Sequence, residues 1–123
     1  MTFHPQLITT RTRRGERTIV AFASTDAPLA YHPTLLYNDM KGEHTSATEW
    51  SITHLPTGRE LPPRFPTYQR CERFIALAAH ICNWRIIRDK VAGHRAARRL
   101  HCIMARLCWQ AQQDDAQESE AAE

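Results

Sequence analysis

Arginines dominate the residues of this chain that are equipped for recognition. Arg88, Arg95, Arg99 and Arg106 recur at intervals of seven, four and seven. On a continuous helix turning about 100° per residue they fall within roughly 40° of one another, with Arg98 beside them. Guanidinium forks match the geometry of carboxylates and phosphates, so the stripe reads as a surface for anions. The Glu-to-Lys pairs that usually neutralise an exposed helix face are missing from this stretch. Trp109 follows at the same end and could stack on a base or anchor a protein interface. A second cluster, Arg11, Arg13, Arg14 and Arg17, surrounds Glu16. In an extended chain Arg11 and Arg13 share a face, and their positive field would add to that of the helix. Against both clusters stands the plain fact that solvated surfaces are commonly charged.

Nucleophile and metal chemistry are poorly supplied. The four cysteines, 71, 82, 102 and 108, lie in stretches that read as helix, where a small apolar thiol packs well. In a core-rich chain of this length they read as buried free thiols of a reducing compartment, not as a disulfide framework. A zinc site could draw on His80, Cys82, His101, Cys102 and Cys108. However, His80 and Cys82 are two apart, and Cys102 and Cys108 six apart, so each pair diverges on a helix. A Cys–His pair could be drawn from Cys71, in a first helical turn that favours thiolate, and His54. Nothing in the sequence supplies an orienting partner or an oxyanion donor for it. No G-x-x-x-x-G-K-S/T, H-E-x-x-H or G-x-S-x-G motif occurs, and four glycines make a phosphate-cradling loop a poor prospect. The expectation is a protein that is not an enzyme and holds no cofactor or metal.

The elements that must position these residues belong to one domain. With 123 residues, 42% hydrophobic and 24% charged, the chain can bury a core without staples. Mean hydropathy is −0.52. No run approaches the ~20 apolar residues of a membrane span, and the N-terminus lacks the order of a signal peptide, so a cytoplasmic location is expected. Charge is segregated along the sequence. Residues 67–113 carry eight arginines and Lys90 against Glu72 and Asp89, whereas residues 114–123 carry Asp114, Asp115, Glu118, Glu120 and Glu123. The organisation expected is a domain over 1–113 and an acidic, disordered tail over 114–123 that could screen the basic face.

β-Favouring runs at Leu7–Arg13 and Arg17–Ser24, joined through Gly15, predict a hairpin. Thr34–Tyr37 predicts another strand, and residues 42–47 read as a loop. Thr48–Leu55, the turn Pro56-Thr57-Gly58 and Arg59–Leu61 predict a second hairpin, with Trp50, Ile52 and His54 on one face. Pro62-Pro63 and Pro66 are expected to stop further pairing. Thr67 is a good N-cap for a helix over 68–82 with apolar Cys71, Phe74, Ile75 and Ala78. Trp84–Ile87 is ambiguous between strand and turn. Residues 90–112 predict a second helix with the seam Ala96, Leu100, Ile103, Leu107 and Ala111. The fold class expected is α+β, an antiparallel sheet of four to five strands with one packed helix and a second, basic, amphipathic C-terminal helix.

The stretch Glu49-Trp50-Ser51-Ile52-Thr53-His54-Leu55-Pro56-Thr57-Gly58, followed by Phe65-Pro66-Thr67 and an Ala-rich helix, resembles a unit of small accessory proteins. These are carried by phages and plasmids of proteobacteria, and the likeness covers residues 49–82. Among characterised proteins of that provenance, anti-CRISPR and other anti-defence inhibitors are frequent, and they act by binding. The resemblance therefore implies a non-enzymatic inhibitor of a host nucleoprotein or defence complex, with the arginines and Trp109 as its docking residues. One alternative is a direct, weakly specific DNA- or RNA-binding protein, although neither an RNA-recognition motif nor a helix-turn-helix is evident. Another is a homodimer formed through the helical seam.

Overall fold

Alternation carries the first half of the chain into long strands, each bent back by a turn of defined chemistry. The structure, a computed structural model, describes residues 2–81, 83–85 and 105–106. Strand β1 (Phe3–Thr12) pairs along its length with β2 (Gly15–Ser24). At the turn Thr12 Oγ1 donates to the Gly15 carbonyl at 2.8 Å and accepts from Arg14 N at 3.2 Å. Gly15 absorbs the positive φ of 112° that this reversal demands. Strand β3 (Leu29–Asn38) then runs antiparallel to β4 (Gly42–His54), and β4 to β5 (Arg59–Phe65).

These strands close into a barrel in sequence order, β1-β2-β3-β4-β5. In an up-and-down meander with an odd number of strands the first and last run the same way, so closure must be parallel. It is made at the pair Arg11↔Arg59, where Arg11 N donates to the Gly58 carbonyl at 2.6 Å. A closed barrel replaces the open sheet expected from the sequence, with one packed helix, α1 (Tyr68–Ile81); of the second helix expected over 90–112 only 105–106 fall among the described residues. The α+β class with two helices is thereby corrected. Long-range closure leaves no local trace in composition or periodicity.

Two element boundaries also differ from expectation. Residues 42–47 are not a loop but the start of β4. Asn38 Oδ1 accepts from Met40 N at 3.1 Å and Lys41 N at 2.6 Å, a tight turn that returns the chain directly into pairing. Pro62-Pro63 do not end the pairing, because β5 passes through them to Trp50↔Phe65. They fall where the β4–β5 register shifts, so the ladder forgoes hydrogen bonds that proline could not make.

Both faces of β4 are buried near its end, from Ser51 to His54. Ile52 faces outward into an apolar layer with Leu29, Tyr31, Leu61 and Phe65, covered by Cys71, Phe74, Ile75 and Ala78 of α1. That helical face and its N-cap follow the sequence reading, with Arg70 N donating to Thr67 Oγ1 at 3.3 Å. Trp84 lies in a turn, 2% exposed, its indole N–H donating to the Ala78 carbonyl at 2.8 Å. The inner layer is small and polar: Ile8, Ala21, Ala23 and Ala30, then Thr10, His32, Thr34, Ser51 and Thr53.

Candidate functional site

The lumen is a hydroxyl network that stops at an imidazole. His32 Nδ1 faces the Pro33 carbonyl at 2.8 Å. A carbonyl only accepts, so Nδ1 carries the proton and Nε2 receives the Thr53 hydroxyl at 2.8 Å. Thr10 in turn meets Thr53 at 3.2 Å, and Thr34 meets Ser51 at 2.6 Å. Burial lowers the His32 pKa below its ordinary value, although the Pro33 hydrogen bond and the charge of Glu60 pull the other way. On the outer face His54 Nε2 donates to the Trp84 carbonyl at 2.7 Å, and its Nδ1 meets Thr57 Oγ1 at 2.8 Å. Burial lowers its pKa too. Both rings are held neutral with each nitrogen engaged. Cys71 is fully buried on the inner face of α1 with its thiol pushed up to about 12 by burial, so the Cys71–His54 pair offers no nucleophile.

Chemistry of a different kind gathers at the hairpin end of the barrel. A groove of about 710 Å³ is lined there by Arg11, Arg13, Arg14, Arg17 and Arg64, by Leu35, Leu36 and Tyr37, and by Glu43 and Glu60. It lies where β2 and β3 part, because these strands pair at Phe22↔Tyr31 and Ala23↔Ala30 and nowhere nearer the hairpin tip. Arg64 pairs with Ser51 and Glu60 with Thr53, so both belong to the inner face and the groove opens toward the lumen.

The five arginines are held differently. Arg17 grips Glu43 with two prongs, Nε and Nη2 at 2.5 and 2.6 Å, which raises the arginine pKa and lowers that of the carboxylate. Its other contacts are the Glu16 and Arg14 carbonyls at 2.9 and 3.3 Å. Arg17 is thus a clasp between hairpins. Arg64 stands between Glu49 and Glu60 at 3.7 and 3.6 Å. Arg11 lies 3.7 Å from Glu16, both more than half exposed, an attraction that solvent largely screens. The Arg14 guanidinium sits 3.2 Å from the centre of the Tyr37 ring and its charge helps to lower the Glu43 pKa, but among the described residues it forms no ion pair; exposed Arg13 has neither hydrogen bond nor ion pair among them. Two guanidiniums at the tip therefore keep their forks available.

The structure brings together Arg11, Arg13, Arg14 and Arg17, the four hairpin residues among the ten expected to bind. Arg106 lies in helical backbone and is exposed. Arg88, Arg95, Arg98, Arg99 and Trp109, the helical seam and the tail over 114–123 lie outside the described residues, as do Cys82, His101, Cys102 and Cys108 of the zinc alternative. Among the described residues no group of three His, Cys, Asp or Glu could hold a metal. No helix among them is long and apolar enough to cross a membrane. The sequence reading missed Arg64, Leu35, Leu36 and Tyr37. The run Leu35-Leu36-Tyr37, two leucines then a tyrosine before a turn, breaks strict alternation and was the one available signal of a half-open wall. Comparison with protein-family models, curated proteins and solved structures finds no match to this chain.

Proposed function

We propose that this chain is a non-enzymatic binding protein that docks an anionic partner in the groove between the β1–β2 and β3–β4 hairpins. One observation carries the reading: five arginines against two glutamates line a single groove, with Arg13 and Arg14 at its tip outside any ion pair among the described residues. Planar forks on a rigid hairpin lose little freedom on meeting a carboxylate or phosphate. Leu35, Leu36 and Tyr37 add apolar wall, the usual composition of a recognition site. In the narrower form carried by the mobile-element resemblance, the partner is a host nucleoprotein or defence complex that is inhibited by occupation, not by chemistry.

Titration with polyglutamate and with a single-stranded oligonucleotide at low salt tests the groove. Binding is expected to at least one of them and to fall steeply as salt rises. The single variant Arg13→Glu, whose side chain makes no hydrogen bond or ion pair among the described residues, should weaken binding with its thermal unfolding unchanged, and the double variant Arg13→Glu/Arg14→Glu should lose roughly tenfold or more in affinity. Full affinity in that variant, or no binding of either polyanion by the natural chain, overturns the proposal.

A further inference from the structure

We infer that the partner segment is an extended acidic peptide, which adds as a strand in the gap between β2 and β3. This rests on the reading of the groove as a docking site for an anionic partner and names that partner's class.

Two bare strand edges flank the gap. From Gly15 to Ala21, β2 pairs with β1 on one side and has no partner strand on the other among the described residues. From Leu35 to Asn38, β3 pairs with β4 and, among the described residues, likewise faces no strand across the gap. Such edges present alternating N–H donors and C=O acceptors. A polypeptide backbone matches that alternation on both of its sides, whereas a phosphodiester backbone offers acceptors alone. Glu43 and Glu60 within the groove also count against a continuous run of phosphates.

The side chains specify what the added strand would carry. On β2 the odd residues face inward, with Arg17 beside the groove, and the even ones outward, where Val20 is 57% exposed. Residues of an inserted strand would alternate in the same way. Those directed inward meet Arg17 and Arg64, and those directed outward lie beside Val20 and cover it. The pattern that fits is acidic alternating with apolar. Arg17 already holds a carboxylate, that of Glu43, so an incoming glutamate can exchange for an internal one with the same geometry. Main-chain pairing of this type supplies affinity while alternate side chains supply selectivity.

The test uses a blocked peptide of alternating Glu and Val, about eight residues long to span the open edges at ~3.3 Å per residue. Two counterparts carry N-methyl groups on every second backbone nitrogen, in either register, and a single-stranded oligonucleotide of equal charge completes the set. The unmodified peptide is expected to bind, and each methylated peptide to bind about tenfold or more weakly, because several net-favourable hydrogen bonds are lost at unchanged charge. Amide exchange at Gly15–Ala21 and Leu35–Tyr37 is expected to slow on binding. Equal affinity for all three peptides overturns strand addition but leaves the anion-docking groove standing. Binding of the oligonucleotide without the peptide likewise overturns the peptide assignment alone, whereas binding of no probe at low salt overturns both.

Discussion

Gly58 is the residue on which closure of the ring turns. Its φ of +68° belongs to the left-handed region, its carbonyl receives the Arg11 amide, and a Cβ there would stand 3.3 Å from the Thr9 carbonyl oxygen. Gly58→Ala is therefore expected to destabilise the fold by about 1–3 kcal/mol, read as a lower urea midpoint. The histidines make a second prediction. Burial holds both His32 and His54 below the ordinary 6.5, so the unfolded chain takes up protons more readily than the folded one. Their contribution to stability is complete above about pH 6.5 and drains away as pH falls below it toward the folded values. Urea midpoints measured at about pH 7.5 and about pH 5.5 should decrease in that order, and a flat profile would contradict it. At this scale the sequence was legible where a residue acts locally. Thr67 as a cap and Gly58 as a turn residue are written in their neighbours. The ties from His54 to Trp84 and from His32 to Thr53 were not, because they join positions about thirty and twenty apart in the chain.

Among the elements, α1 was the most readable, since its period and its cap agree and its apolar stripe needs one partner surface only. Two variants separate those contributions. Thr67→Ala removes a cap at an exposed end and should cost about 1 kcal/mol, whereas Phe74→Ala empties a fully buried site and should cost about 3–5 kcal/mol. Comparable losses in thermal or urea unfolding would mean that the helix is held by its end and not by its face. Strand extents were harder. The stretch 42–47 carries Gly, Glu, His, Thr and Ser, a loop-like composition, yet it pairs because Asn38 makes the preceding turn tight. Pro62-Pro63 reads as a stop, yet a register shift absorbs it. Composition reports what a segment tolerates; pairing depends on what lies opposite.

At the scale of the whole molecule the pairing is uneven. The β1–β2 hairpin and the β3–β4–β5 meander are each zipped along most of their length, and they meet each other at two thin places, β2 with β3 and β1 with β5. The sequence foretold the β1–β2 hairpin and the turn from β4 into β5, but neither the β3–β4 hairpin nor the two thin places, since alternation fixes which side of a strand is buried without saying which strand lies next to it. The arginine cluster was legible as a cluster, but its groove was not, because the groove exists only where two hairpins fail to meet. Charge bookkeeping on the sequence likewise could not show that Arg17 is spoken for by Glu43 while Arg13 is not.

A ring fastened by a single parallel stitch opens first at that stitch. Loss of the hydrogen bond from Arg11 to Gly58 would release the tip of one ribbon as a hinged flap and admit water to the threonines inside, with the rest of the molecule still folded. The Arg11 amide should therefore exchange sooner than that of Ile52, which is buried under the helix.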